Sequence, residues 1–331
     1  MTSPSPALPL LLRRLLCRLP RPGPGPARAV ASRTVMSSSA LPPLPLLRAI
    51  ASHDPDAPAV LHCTSGRSFA YGRLLPDVAC ARDRLRHAAG RADLDGRTVA
   101  FLVENSYDYV VTLLAVLAAG AIAVPLSPAF PTSELQYILD HSQASVLVSS
   151  QRFAAKADDL LAAGLVSQPA HLRLAKHVDG PAGRPVAFED ADPAASAASL
   201  MLYTSGTTNR PKGVVLPHAT LAAQAQSLIE AWRYSPSDRL LHVLPLHHIH
   251  GAVNAVLTPL VAGASVEFLF PFNADAVWRR LAAPFVADSA ATSPAPVTFF
   301  TAVPTVYSRL LSSHGTLPAA HLRIGGAADA G

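Results

Sequence analysis

The sequence predicts an α/β fold of largely parallel sheets with flanking helices. Two observations carry that expectation. From Ala59 onward, short apolar runs alternate with stretches whose apolar residues recur at helical spacing. Half of the 331 residues are hydrophobic and only 15% are charged, enough apolar surface for a sizeable core of one large or two ordinary domains.

Taken in order, Ala59–His62 and Ser68–Tyr71 flank Ser65-Gly66, a turn signal, and read as a hairpin. Leu74, Val78, Ala81 and Leu85 fall at helical spacing, and that helix runs out before Gly90. Thr98–Val103 reads as a buried strand that stops at Glu104-Asn105. Tyr109–Leu126 is nearly all apolar over 18 residues, the minimum for a membrane span. Gly120 interrupts it, β-branched Ile122 and Val124 follow, Pro125 closes it, and no basic flank anchors it. A helix to Ala119 followed by a strand from Ala121 to Val124 fits that order, and no transmembrane helix is expected. Pro131–Leu139 reads as a helix and Ser145–Val148 as another buried strand. Residues 176–197, rich in Pro, Gly, Ala and Asp, read as a surface linker. Beyond residue 217, Leu221, Ala225, Leu228, Ile229 and Trp232 mark one helix face. Leu240–Val243, Ser265–Phe268 and Val297–Phe300 are further strand candidates. No internal repeat is present.

The net charge of +5 suggests anionic partners until its location is considered. Residues 1–40 hold six arginines and no acid; removing those six from 27 basic residues leaves 21 against 22 acids. The body is neutral, so the balance gives no argument for nucleic acid. The three cysteines, Cys17, Cys63 and Cys80, form neither a C-x-x-C pair nor a disulfide framework, and read as small apolar residues in a reducing compartment. No metal site is expected.

Leu8–Leu19 is leucine-rich and interrupted by Arg13, Arg14 and Arg18; proline-, glycine-, serine- and arginine-rich sequence follows. Arg-rich, acid-free and able to form a short basic amphipathic helix, residues 1–40 read as an organellar transit peptide, mitochondrial or plastid. The arginines break the apolar run that a secretory signal needs. A disordered tail with no address is the alternative, and Met36 offers a second start that would give a cytosolic form.

Two apolar runs, Leu200–Tyr203 and Gly213–Leu216, are joined by Thr204-Ser205-Gly206-Thr207-Thr208-Asn209-Arg210-Pro211-Lys212. The segment reads as two short strands and a loop crowded with hydroxyls, glycine and two cations. Hydroxyl and backbone N–H donors in such a loop can wrap a polyphosphate, with charge supplied by Lys212 and Arg210. An ordinary polar hairpin loop is the commoner fate of such clusters, and composition leaves both open. It is not a Walker A loop, since no G-x-x-x-x-G-K-[ST] occurs.

The ordered string Tyr203–Gly213 resembles the phosphate-loop signature of the adenylate-forming superfamily, which includes acyl-CoA synthetases, luciferases and peptide-synthetase adenylation domains. The signature reads Tyr-Thr-Ser-Gly-Thr-Thr-Gly-x-Pro-Lys-Gly, and the one departure is Asn209 in place of glycine. The resemblance implies that Thr204, Ser205, Gly206, Thr207, Thr208, Asn209, Lys212 and Gly213 bind the phosphates of ATP, with Lys212 and Thr204 as catalytic candidates. ATP with Mg²⁺ and CoA as co-substrate are the implied cofactors.

Leu244-Pro245-Leu246-His247-His248-Ile249-His250-Gly251 is the second candidate site. Its histidines lack a further ligand at metal spacing, and on their own they are equally a turn with exposed imidazoles. The segment lies between a strand and the apolar stretch Ala252–Val261 that Gly263 ends; a turn feeding a helix favours anions. Its wording is similar to the malonyl-CoA synthetase branch of the superfamily, whose substrate carries a second carboxylate. The lack of any acid between Asp238 and Glu267 argues against an amino-acid substrate, whose ammonium an aspartate would hold. By this resemblance His247, His248 and His250 border the acyl pocket. Gly120–Pro128 resembles a structural core segment of the family, and Phe300–Thr305 its strand-to-helix turn beside the acyl pocket. His321–Ile324 begins what looks like a further strand, in which Arg323 is the candidate for gripping the distal carboxylate.

The resemblance covers roughly residues 45–324 and implies the N-terminal part of the adenylate-forming fold, incomplete, with residues 41–331 a partial AMP-binding domain. The Tyr-Gly-x-Thr-Glu motif, the ribose aspartate, the hinge and the C-terminal domain are not in the sequence, so the chain alone is expected not to turn over. The expected activity is ATP-dependent carboxylate–CoA ligation of a small dicarboxylate resembling malonate. The alternatives are ligation of a short- or long-chain acid, a non-catalytic nucleotide-binding or interaction protein, and a fragment that does not fold stably.

Overall fold

The first helix, α1 (Pro45–Ala51), begins on a proline whose ring already holds a helical φ, and it buries Leu46, Leu47 and Ile50. The computed structural model describes residues 40–178, 180, 183, 185–204, 210–285 and 295–314. The hairpin expected at Ser65-Gly66 forms between β1 (Pro58–His62) and β2 (Ser68–Ala70). Helix α2 (Tyr71–Ala88) turns Leu74, Val78, Ala81 and Leu85 inward. Strand β3 (Thr98–Leu102) is buried at every position.

The apolar run from Tyr109 divides as expected into α3 (Tyr107–Ala118) and β4 (Ile122–Pro125). Ser106 caps α3 by accepting from the Tyr109 N–H, and Asp108 sits favourably in the positive first turn. All twelve residues of α3 are buried, the mark of a helix covered on every side. Next come α4 (Thr132–His141), β5 (Val146–Ser149), α5 (Ala154–Ala162) and β6 (Ala170–Arg173). No helix among the described residues is long and apolar enough to cross a membrane.

Strands β7 (Ser199–Thr204) and β8 (Lys212–Pro217) form the pair expected around residues 205–211. Then follow α6 (His218–Trp232), β9 (Arg239–His242), a π-helical segment (His250–Leu257) and α7 (Thr258–Ala262). The described chain closes with β10 (Ser265–Phe268), α8 (Ala274–Ala282), β11 (Phe299–Phe300) and α9 (Pro304–His314).

The strands make two sheets, ordered β11-β9-β10-β1-β2 and β6-β5-β3-β4-β7-β8. Among the described residues, seven of the nine strand pairings are parallel, and the two antiparallel ones lie at an edge of each sheet. Val60, Phe69, Val266 and Phe268 of one sheet join Val99, Phe101, Val146 and Val148 of the other in a single hydrophobic cluster with α2 and α3. Burying such a cluster is the main favourable term in folding. Parallel pairing also directs the carboxyl ends of β3, β4, β5, β9 and β10 into loops that can share one crevice.

Two local expectations need correction. The face of α6 is only partly inward: Leu221 and Ala225 are buried, whereas Leu228 and Ile229 are half-buried and Trp232 is exposed. Cys80 is exposed on α2 rather than packed, while Cys63 is half-buried and its thiol is pushed up to about 11 by burial and the nearby Glu267 carboxylate. Cys17 lies outside the described residues. The described residues of the linker 176–197 are exposed or half-buried, as expected, and several of them are fastened to the body. The His177 Nδ1 lies 2.7 Å from the buried Asp108 carboxylate, and Phe188 pairs with Leu41 beneath the Arg48 guanidinium.

Candidate functional site

The pair β7–β8 is built from the apolar run Leu200–Tyr203 and its mate Gly213–Leu216, and its register sets Thr204 directly opposite Lys212. Both are exposed at the open end of the pair, beside exposed Arg210. A hydroxyl, an ammonium and a guanidinium so grouped suit a polyanion. Gly213 sits under two side chains of the opposite strand. A Cβ there would lie 3.0 Å from the Met201 sulfur and 3.1 Å from the Tyr203 ring. Ser205, Gly206, Thr207, Thr208 and Asn209 lie outside the described residues.

The histidine turn is held from α3 and its approach. Asn105 Nδ2 donates to the Leu244 carbonyl at 2.8 Å, and the buried Tyr109 hydroxyl donates to the Leu246 carbonyl at 2.7 Å. Those bonds satisfy carbonyls that the turn itself leaves unpaired. His247 and His248 lie 4.2 Å apart between ring centroids with their planes tilted by 45°, and His247 meets the Phe130 ring edge-on at 5.3 Å. His250 Nε2 is 3.0 Å from the Thr301 hydroxyl, which joins this turn to the segment between β11 and α9. His248 is exposed.

Burial, with His248 beside it, pushes His247 down to about 4, and burial also lowers His250. At neutral pH His247 is therefore uncharged and available as an N–H donor, not as a cation. His242, which faces inward from β9 with Nε2 3.1 Å from the Gly251 carbonyl, is pushed down to about 4 by burial. A Cβ on Gly251 would run into the Pro245 carbonyl oxygen.

A cavity of about 470 Å³ opens at the carboxyl ends of β3, β4, β9 and β10. Its walls are mainly apolar, among them Val103, Leu126, Phe153 and Phe272, and His247, Glu104 and Arg152 supply polar edges. Phe130 connects this cavity to the β7–β8 pair. Besides touching His247, it packs on the cluster that contains Tyr203 and is flanked by Tyr137 and Met201.

Among the residues expected from sequence, Thr204 and Lys212 are brought face to face, and His247 lines the cavity with His248 against it. His250 turns to Thr301 instead. Arg323 lies outside the described residues. Sequence reasoning missed Asn105, Tyr109, Tyr137 and His141, which hold the motifs without belonging to them. Only the i,i+4 spacing of Tyr137 and His141 signalled that they share a helix face. Among the described residues, no group of three His, Cys, Asp or Glu is placed to hold a metal ion.

The sequence profile of the AMP-binding enzyme family matches residues 47–329. A CoA ligase of Gibberella moniliformis is 49% identical over 81% of this chain and 47% of its own length. A malonate–CoA ligase of Arabidopsis thaliana is 31% identical over 75% of this chain and 43% of its own. ATP-bound MatB from Rhodopseudomonas palustris superposes with a TM-score of 0.64 at 29% identity, over 82% of this chain and 51% of that one. The chain spans about half the length of the relatives it matches. The chain belongs to the AMP-binding enzyme family.

Proposed function

We propose that this chain carries the ATP-phosphate and acyl-pocket portion of an AMP-forming carboxylate–CoA ligase whose acid is a small dicarboxylate resembling malonate. The observation that carries the proposal is the register of β7 and β8, which sets Thr204 opposite Lys212 at a mouth that also holds Arg210. The residues present fit a polyphosphate: two cations and a hydroxyl stand exposed, and glycine at 213 leaves room for the Met201 and Tyr203 side chains.

ATP supplies an activated phosphorus. The carboxylate oxygen forms a bond to the α-phosphorus as the bond to pyrophosphate breaks, and the CoA thiol then displaces AMP from the acyl carbon. Lys212 neutralises charge that grows on the departing pyrophosphate and Thr204 donates a hydrogen bond to it, with Ser205, Gly206, Thr207, Thr208 and Asn209 contributing further donors. Mg²⁺ enters with the nucleotide. His247 offers an uncharged N–H donor to the acid, and Arg323 is assigned to its distal carboxylate. Residues 1–40 are proposed as a mitochondrial or plastid address; a reporter fused to them that stays diffuse in the cytosol would contradict this.

The mainly apolar walls of the cavity favour a second reading, an acid with an alkyl chain. Calorimetric titration of the purified protein with malonate, acetate and a long-chain fatty acid, each in the presence of Mg-ATP, separates the two. The first reading expects malonate to bind most tightly, and the second expects the fatty acid to do so. Binding of none of them sinks the assignment of an acyl pocket to this chain.

A further inference from the structure

Helix α4 touches both sides of the β7–β8 mouth. Tyr137 and His141, four residues apart on one helix face, stack at 5.2 Å between ring centroids. His141 reaches the entering strand, with Nδ1 2.8 Å from the Tyr203 hydroxyl and the rings edge to face. Tyr137 reaches the leaving strand. Its hydroxyl donates to the Pro211 carbonyl at 3.2 Å, and the Arg210 guanidinium lies over its ring at 5.6 Å.

Thr204 follows one anchor directly, and Lys212 follows the other. Packing alone would ask only for apolar side chains here, yet two polar ones point to opposite sides of the same opening. Burial, with Tyr137 nearby, pushes the Tyr203 phenol up to about 12, so it stays protonated at neutral pH. The aromatic face under Arg210 holds a cation at the mouth that would otherwise sample many rotamers.

We propose that Tyr137 and His141 are positioning residues for the phosphate-binding mouth, holding Tyr203 on one side and Arg210–Pro211 on the other so that Thr204 and Lys212 address one anion together. The proposal rests on the polyphosphate role assigned above. It predicts that these contacts set affinity for phosphate chains rather than the stability of the fold.

The test is calorimetric titration of the whole chain with Mg-ATP and with inorganic tripolyphosphate, paired with thermal melts. Tyr137→Phe removes one hydroxyl and keeps the ring. His141→Phe keeps the stack and removes the nitrogen, and His141→Asn returns a polar atom near the position of Nδ1. Lys212→Ala is the reference for the mouth itself. The Kd for both ligands is expected to rise about fivefold in Tyr137→Phe and His141→Phe, the scale of one hydrogen bond. His141→Asn should recover most of that loss, and the melting temperatures should stay close to wild type.

Undiminished affinity in both phenylalanine variants, with Lys212→Ala weakened, overturns the positioning role and leaves the polyphosphate role standing. A melting temperature that falls in step with affinity in all three α4 variants also overturns it, as does failure of His141→Asn to recover binding. If wild type binds neither ligand, or Lys212→Ala binds both as wild type does, both assignments fall.

Discussion

His250 Nε2 lies 3.0 Å from the Thr301 hydroxyl, so the histidine turn after β9 is tied to the turn that launches α9. The two segments are far apart in sequence and meet because β9 and β11 are parallel neighbours, with Phe300 opposite Leu241. Replacing Thr301 with valine keeps the shape and removes the hydroxyl. The expected result is a loss of about 1 kcal/mol in stability. Affinity for malonate should weaken severalfold while ATP affinity holds, as titration with both ligands would show.

The turn itself depends on a buried phenol. Tyr109 donates to the Leu246 carbonyl at 2.7 Å, and burial pushes that hydroxyl far above the ordinary phenol range. Tyr109→Phe leaves the carbonyl without this donor. Chemical denaturation should show a loss of about 1–3 kcal/mol.

The acid limb of stability carries a signature of the histidines. His242 and His247 are both pushed down to about 4, chiefly by burial. The unfolded chain therefore binds protons that the folded one refuses between about pH 6.5 and pH 4. Their contribution is full above pH 6.5 and is lost as the pH falls to about 4. The loss is on the order of 3 kcal/mol for buried His242 and less for half-buried His247. His242→Gln, which keeps a donor for the Gly251 carbonyl and cannot titrate, should flatten the fall in melting temperature over that window.

Glu267 on β10 and Arg280 on α8 are both buried, and their bidentate contacts are 2.6 and 2.7 Å. Arg239, 3.6 Å from the same carboxylate, is the secondary partner. Arg280→Met leaves a buried carboxylate poorly matched. Urea unfolding should report a loss of about 3–5 kcal/mol. A smaller loss for the double variant Glu267→Gln, Arg280→Met would confirm that the stranded charge is the cause.

Much of this architecture was legible because its elements bury apolar runs with plain punctuation. Gly120 between Ala118 and Ile122 divided helix from strand, and the hairpin at Ser65-Gly66 needed only its turn residues. Strand β6 was not legible: Ala170–Arg173 sits at a sheet edge, half-buried, with no apolar run to announce it. The face of α6 was over-read, since helical spacing gives direction but not what lies opposite, and Trp232 meets solvent. At the site, Lys212 and His247 belong to ordered strings with chemistry of their own. Tyr137, His141, Asn105 and Tyr109 act only through tertiary contacts that no local pattern encodes.

The central claim is that the open end of β7–β8 binds the phosphates of ATP through Lys212. Its most direct test is the affinity of the chain for Mg-ATP before and after Lys212→Ala. Lys212 is exposed, so the substitution should leave the melting temperature unchanged. The account predicts an affinity lower by about tenfold or more, as loss of a charge-assisted contact requires. Equal affinity in the two proteins, or no binding by either, would contradict it.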